Sequence, residues 1–247
     1  MRIREIIDLF ATEYNLSIPE VMREIENVFS DLYSRWYRMD VMVFFQQDFH
    51  LEAIAYDRKD GAISQRVVDL ARIKARNTLQ RHLEKKLVTV SLLKQTRNYK
   101  YYEREIRWGE ITGYDSEGNL HVEIKIVDSD KITALCPLNR IGVHERDSGN
   151  FTIGMRRAFH IRRVEPVSLN GTGRLKVIVD RVSKTLVEEL IKEQLTEAAE
   201  KIHIRCTNRY VGQKSFVLTS KRLPKSAVSC AAKELGEHIQ VRYVGNS

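Results

Sequence analysis

The sequence predicts an α+β protein of several domains, in which a helical head precedes a five-stranded β-barrel and a small α/β unit. Apolar residues recur mainly with helical spacing up to about residue 101, with two short strand patterns between 41 and 56. They alternate with a period of two from Glu105 to Asp180, and then follow mixed helix and strand patterns. With 247 residues and 43% hydrophobic content, the chain can bury a core in each part. We place the domains at 1–104, 105–182 and 183–247.

Two helices and two strands are predicted in the head. Apolar residues at i, i+3, i+4 and i+7 from Ile3 predict a helix over 2–14. Ser17, followed three residues later by Glu20, is a capping-box pattern and predicts a second helix over 17–39. The two strands and the turn after them are expected at 41–46, 50–56 and 57–61.

A long basic helix is predicted over 65–101, with a break near 88–92 where β-branched residues cluster. Such a helix is commonly a solvated amphipathic face, and the alternative is a positive rail for a nucleic-acid backbone. The residues that would form this rail are Arg72, Lys74, Arg76, Arg81, Lys85 and Lys86.

Five strands in about 75 residues predict a barrel of the OB type, with a small sandwich as the alternative. The strands are expected at 106–113, 120–127, 131–136, 155–164 and 174–180. Alternation along the fourth strand predicts that His160 and Arg162 share an exposed basic face. Trp108, at the start of the first strand, is a candidate ring for stacking on nucleic-acid bases.

The last domain is predicted to run α-β-β-α-β. Its first helix begins near Ser183, and its second helix ends at Gly236, a residue favoured just after a helix. The elements that follow the first helix are strands at 201–207 and 215–218, a helix at 224–235 and a strand at 238–244.

Charge is concentrated in blocks. The net charge is −5 over 1–65, +8 over 66–107, −2 over 108–200 and +7 over 201–225, so the head is acidic and two later blocks are basic. The block 201–225 contains no Asp or Glu and mixes basic residues with apolar and aromatic ones, which suits single-stranded nucleic acid. Its candidate RNA-binding residues are Arg205, Arg209, Tyr210, Lys214, Lys221, Arg222 and Lys225.

No motif indicates catalysis, a metal or a cofactor. The sequence has no P-loop, nucleophile elbow, HExxH motif or Rossmann fingerprint. We expect no metal site at the acidic residues of the predicted turns, where Asp is common for conformational reasons. Those residues are Asp115, Glu117, Asp128 and Asp130.

The three cysteines and the hydropathy pattern indicate where the chain resides. The cysteines lack CxxC spacing and are expected to be reduced and buried; they are Cys136, Cys206 and Cys230. The first residues form no apolar signal region, and no apolar run approaches the roughly 18 residues of a membrane span. We therefore expect a soluble, cytoplasmic protein without a membrane partner.

The order of these parts and several short motifs resemble the NusA family of bacterial transcription elongation and termination factors. The motif WGEITG at 108–113 resembles the start of that family's first barrel strand, and IGMR at 153–156 resembles the entry to its fourth strand. The stretches 202–209, 214–218 and 233–239 resemble the strands and the end of its KH domain. The resemblance rests on the collinear order of these motifs.

The resemblance implies a non-catalytic RNA-binding factor. Residues 1–104 would bind core RNA polymerase, and the barrel and KH-like unit would guide nascent single-stranded RNA, changing pausing, termination or antitermination. Other elongation factors are further candidate partners. Backbone capture by basic residues predicts strong salt dependence and weak sequence preference.

The KH-like unit departs from the family because it has no GXXG loop and has room for only one helix between its second and third strands. We therefore expect a compact relative with a truncated type II KH unit, whose RNA contacts rest on the basic strands and on Lys221, Arg222 and Lys225. Two alternatives stay open: a protein-docking module whose KH unit has lost RNA binding, and a nucleic-acid-processing enzyme.

Overall fold

The computed structural model is a mixed α+β structure that divides into two compact units, Met1–Gln95 and Thr96–Ser247. It describes residues 3–47, 49–59, 62–67, 76–127, 130–146, 149, 151–169, 172–195 and 202–244. Within these ranges, no helix combines the length and the apolar character needed to cross a membrane.

The first unit contains helices and a three-stranded antiparallel sheet in the order β1-β2-β3. Its elements are α1 (Ile3–Glu13), α2 (Ile18–Tyr37), β1 (Asp40–Phe45), β2 (Leu51–Lys59) and β3 (Ala62–Val67). The two predicted helices and the first two strands are confirmed. The prediction of a helix from residue 65 is wrong, because residues 62–67 pair with β2 as a third strand; a short apolar stretch fits either period.

The long basic helix is α3 (Arg76–Lys100), which runs without interruption through residues 88–92, so the predicted break is wrong. Inside the first unit, Leu83 and Leu87 of α3 pack with Ile7 and Val21 in one hydrophobic core. These two leucines are four residues apart and buried on one side of the helix. Their packing keeps the neighbouring β-branched residues helical despite the lower helix propensity of those residues.

Helix α2 also covers the outer edge of β1. Three of its polar side chains accept hydrogen bonds of 2.8–2.9 Å from backbone N–H groups of that strand. The acceptors are Glu26, Ser30 and Ser34, and the donors are Phe45, Val43 and Val41 respectively. The spacing of four places the acceptors on one helix face, so the edge N–H groups are satisfied.

The second unit begins with five strands that close into a barrel in the order β4-β5-β6-β8-β7. They are β4 (Ile106–Tyr114), β5 (Leu120–Val127), β6 (Asp130–Cys136), β7 (Arg156–Leu169) and β8 (Thr172–Asp180), with the short helix α4 (Val143–Arg146) before β7. Strand β7 pairs with both β4 and β8, and only the β6–β8 pair is parallel. Inward-facing residues such as Ile111, Val122, Phe159 and Val179 fill the interior.

A three-stranded mixed sheet with two helices completes the second unit. Its elements are α5 (Lys184–Glu193), β9 (Ile204–Tyr210), β10 (Lys214–Thr219), α6 (Lys225–Leu235) and β11 (His238–Tyr243). The central strand β10 is antiparallel to β9 and parallel to β11. The α-β-β-α-β order and the single helix between β10 and β11 are confirmed. Strand β9 begins at Ile204, and Lys201 lies outside the described residues.

The helices cover only one face of this sheet. Leu186 and Leu190 of α5 and Ala231 of α6 pack against the inward residues of the strands, including Cys206 and Val217. The alternate residues of each strand point the other way and are exposed or half-buried. We call this second surface the open face of the C-terminal sheet.

Candidate nucleic-acid interface

The open face is organised as three cross-strand rows, each with one residue from β9, β10 and β11. The middle row places Phe216 between two carboxamides, and the outer rows carry all of the charge. The rows are Tyr210–Lys214–His238, Asn208–Phe216–Gln240 and Arg205–Leu218–Arg242. None of the nine residues is acidic, so the surface is positive.

Two aromatic rings lie on this face. Tyr210 is 58% exposed, and its ring meets the Phe216 ring edge-on at a centroid distance of 6.4 Å. The Lys214 ammonium lies 4.9 Å from the Phe216 centroid, within cation–π range. The rings border a shallow hollow of about 400 Å³ that is also lined by Asn208 and Gln240. A ring face next to cations is the surface on which unstacked bases bind.

The cations of the open face are unpaired within the described residues. Arg205, Lys214 and Arg242 have no ion-pair partner there, and Arg205 and Arg242 are exposed. The sequence-predicted residues Arg205, Tyr210 and Lys214 thus come together on one surface. Prediction did not include Gln240 and Arg242, which lie outside the basic block; the alternation of β11 is the signal that places them on the same face.

Arg209, a predicted RNA contact, is a structural residue. Its side chain is 1% exposed, and its guanidinium donates to both oxygens of buried Glu237 at 2.7–3.2 Å. Glu237 also accepts from the Gly212 N–H at 3.0 Å and the Ser215 hydroxyl at 2.6 Å. The predicted RNA contact by Arg209 is therefore wrong. In a strand with alternating faces, Arg205 and Arg209 would share a side, but the β-bulge opposite Phe216 and Val217 separates them.

A second buried cation joins the barrel to the C-terminal sheet. Arg181 is 1% exposed and pairs with Glu145 at 2.6 Å and with Glu234 at 2.8 Å. Burial lowers the pKa of Arg181, but the two carboxylates outweigh it and leave the pKa above its ordinary value. Glu234 also accepts from the Ala158 N–H in β7 at 3.0 Å. These bonds fix α6 against the barrel, so the open face has a defined place in the second unit.

His160 and Arg162 do not share an exposed face, so this prediction is wrong. A bulge between Ile161 and Arg163 interrupts the alternation of β7, and His160 is only 7% exposed. Its Nδ1 lies 3.2 Å from Oδ2 of buried Asp180. Burial raises the pKa of Asp180, but the His160 hydrogen bond and charge, with smaller help from the Ser183 N–H and Arg162, bring it below its usual value. Arg162 is half-exposed, 3.6 Å from the same carboxylate.

Trp108 also has an internal role. Its indole N–H donates to the Glu193 carboxylate of α5 at 3.0 Å, and its half-buried ring packs against the hydrophobic core of the C-terminal unit. The ring borders a separate hollow of about 440 Å³ on the barrel, where Lys125 and Arg156 stand beside Glu110. Cations and carboxylates are mixed in this hollow, so it attracts an anion less strongly than the open face does.

The remaining candidates lie on two other segments. Lys221, Arg222 and Lys225 are exposed in the connection from β10 to the first residue of α6. On α3, the predicted cations Arg81, Lys85 and Lys86 are exposed. Arg72 and Lys74 lie outside the described residues, as does the side chain of Arg76.

A scan of the sequence against protein-family models gives no match, and a search of curated proteins finds no relative. In the described part of the chain, no group of three or more His, Cys, Asp or Glu side chains is placed to hold a metal ion. Within that part of the chain, the open face, with its rings and unpaired cations, has the chemistry that suits an anionic ligand with planar groups.

Proposed function

We propose that this chain is a non-catalytic, NusA-like RNA-binding factor. The first unit binds RNA polymerase, and the barrel and C-terminal sheet guide nascent single-stranded RNA, which changes elongation, termination or antitermination. The open face is the observation that carries the proposal. It combines three cations that have no ion-pair partner among the described residues with two rings, and none of its nine residues is acidic. RNA supplies the phosphates and unstacked bases that such a surface binds.

The strand topology supports the two RNA-binding modules of this proposal. A closed five-stranded barrel whose third strand meets its last strand in parallel supports an OB-type barrel, a fold that binds oligonucleotides. The α-β-β-α-β order with a mixed sheet supports a truncated KH unit. Between β10 and β11 there is one helix and no GXXG loop, so the proposal assigns RNA binding to the strands and not to a backbone clamp.

The charge of the first unit supports a different partner for it. Residues 1–65 carry seven basic and twelve acidic residues, which disfavours RNA and favours a basic protein surface. Exposed acidic side chains, among them Asp8 on α1 and Asp31 on α2, contribute to this charge. The proposal therefore assigns polymerase binding to this unit.

RNA binding is tested by fluorescence anisotropy with the full chain and a labelled 20-nucleotide single-stranded RNA. We expect affinity to fall steeply with salt, because each phosphate contact adds about 0.7 to the log–log slope. The variant Lys221→Ala, Arg222→Ala, Lys225→Ala should bind more weakly with a smaller slope. Undetectable RNA binding by the unsubstituted chain would contradict the proposal, and retained polymerase binding would then favour a protein-docking module.

Polymerase binding is tested with purified core enzyme and the full chain in a sedimentation or biosensor assay. We expect Asp8→Lys with Asp31→Lys to weaken this complex without changing RNA affinity, since both carboxylates are exposed in the first unit. The variant Lys221→Ala, Arg222→Ala, Lys225→Ala is the control and should bind polymerase normally. If the unsubstituted chain does not bind polymerase, the transcription role is overturned even where RNA binding holds.

A further inference from the structure

We propose that the open face reads one base of single-stranded RNA, with the base stacked on Phe216 and its edge hydrogen-bonded by Asn208 and Gln240. This inference rests on the proposed function for the choice of RNA, and it goes beyond it by assigning sequence selectivity to a surface otherwise expected to bind any sequence. The site needs neither a GXXG loop nor a second helix.

The position of Phe216 favours stacking. It lies in the middle row on the central strand, it is half-buried, and it borders the hollow of about 400 Å³ on the open face. Tyr210 meets it edge-on at 77° and forms a side wall to the Phe216 ring. A base laid on Phe216 would be held on one side by the exposed tyrosine ring. Stacking of this kind tolerates every base because every base has a π-face.

The selectivity would come from the two carboxamides. Asn208 and Gln240 are the cross-strand neighbours of Phe216 on either side, and neighbouring strands lie about 4.8 Å apart, so both amides reach the edges of a base above the ring. Both side chains are exposed, and neither makes a hydrogen bond within the described residues. A carboxamide donates and accepts at once, so two of them distinguish the donor and acceptor patterns of different bases.

The cations place the phosphates on either side of this base. Lys214 lies in the row on one side of Phe216, and Arg205 and Arg242 lie in the row on the other. Successive residues on one face of a strand are about 6.6–6.8 Å apart, so the cations of the outer rows lie about this far from the middle row on its two sides. The absence of any acidic residue among the nine favours a polyanion that crosses the whole face.

A protein partner fits this face less well than RNA does. Only Phe216, Leu218 and Tyr210 of the nine residues offer much apolar surface, whereas the core of a protein interface is depleted of charge. Unbound carboxamides beside a ring are also costly to bury against a chain that does not pair with them. An acidic peptide is therefore an outcome of the test and not the proposed ligand.

The test compares 10-nucleotide labelled rA, rU and rC, each with the full chain, by anisotropy at fixed salt. We expect one homopolymer to bind at least about fivefold more tightly than another. Asn208→Ala with Gln240→Ala should bring the affinities together while leaving the weakest one nearly unchanged. Phe216→Leu keeps an apolar residue but removes the ring, and it should weaken all three by about tenfold. Circular dichroism and thermal unfolding establish that each variant is folded.

Each outcome has a distinct meaning. Equal affinities for the three RNAs, or selectivity that survives loss of both carboxamides, would overturn base reading while leaving RNA binding intact. No binding of any RNA would overturn the proposed function itself. Tighter binding of the matching single-stranded DNA would overturn the choice of RNA. If a poly-glutamate peptide displaced the RNA as readily as unlabelled RNA does, the open face would bind anions by charge alone, and base reading would be overturned. Tyr101→Ala, an 80%-exposed ring away from the sheet strands, is the control and should change nothing.

Discussion

Two sets of cations in the second unit contrast sharply. Arg181 and Arg209 are almost fully buried and are paired with carboxylates, whereas Arg205, Lys214 and Arg242 lie on the open face without an ion-pair partner in the described residues. Arg205 and Arg209 belong to one strand and to one basic block of the sequence. The comparison teaches that a positive charge alone does not identify a binding residue. What decides is whether the fold places a carboxylate next to the cation.

The first prediction concerns the most strongly paired cation. Arg181→Met removes the buried cation that pairs with both Glu145 and Glu234, although Glu234 keeps Arg157 at 3.3 Å. Removing one partner of a buried pair costs about 3–5 kcal/mol. We expect a loss of this size in the free energy of unfolding of the second unit, measured by urea denaturation. A loss below about 1 kcal/mol would show that solvent reaches the network.

The second prediction separates two arginines of the same strand. Arg209→Met should lower the free energy of unfolding by about 3 kcal/mol, because Glu237 stays buried without a counter-charge. Arg205→Ala should leave stability within about 0.5 kcal/mol, as surface substitutions do, but should weaken RNA binding. Urea denaturation and anisotropy of both variants check this. The comparison would be contradicted if Arg205→Ala destabilised the fold while Arg209→Met weakened RNA binding without loss of stability.

The third prediction concerns the packing of the turn between β9 and β10, and it changes no charge. Gly212 has a φ of +74°, and a Cβ there would lie 2.8 Å from the Cβ of His144; Gly236 has a φ of +64°, with nothing within 4 Å of such a Cβ. Both Gly→Ala changes incur the left-handed penalty of about 1–2 kcal/mol, and only Gly212→Ala adds a clash. Thermal unfolding should therefore show the larger loss for Gly212→Ala. Equal losses would mean that the turn between β9 and β10 shifts and removes the clash with His144 at little cost in free energy.

The smallest expected effect comes from an exposed pair in the first unit. Glu20 accepts from Lys94 at 2.7 Å and from the Ser17 N–H at 2.7 Å, and these bonds lower its pKa from 4.5 to about 2. A depressed pKa in the folded state stabilises the fold above pH 4.5, and this contribution is lost as the pH falls towards 2. Glu20→Gln should cost under about 1 kcal/mol near pH 7 and nothing near pH 2. A difference independent of pH in thermal unfolding would contradict this.

Periodicity predicted much of the fold because it records which face of an element is buried. The helices at Ile3 and Ser17, the barrel strands and the C-terminal α-β-β-α-β order all follow from it. It failed where the backbone departs from a regular repeat. The bulge between Ile161 and Arg163 ended the alternation that placed His160 and Arg162 on one face, and the bulge opposite Phe216 and Val217 moved Arg209 off the face of Arg205. Strand β3 formed where a six-residue pattern fits either period.

The site was predictable in part for a related reason. The block 201–225 identified Arg205, Tyr210 and Lys214 because local composition is visible in a sequence. Glu237, which neutralises Arg209, lies 28 residues away, and Gln240 and Arg242 join the face through the parallel pairing of β10 and β11. Partners of this kind are brought together by tertiary structure, and no local pattern contains them.

The salt dependence of RNA affinity in one variant tests the central claim most directly. Arg205→Ala, Lys214→Ala and Arg242→Ala together remove the cations of the open face. Arg23→Ala, Arg35→Ala and Arg38→Ala remove three exposed cations from the first unit and are the matched control. With about 0.7 per phosphate contact, the first variant should lower the log–log slope by about 2, and its affinity at 50 mM salt should fall at least about tenfold. The control variant should change both only slightly. Equal losses in the two variants would show non-specific attraction by net charge, and an unchanged slope in the first would contradict RNA binding by the open face.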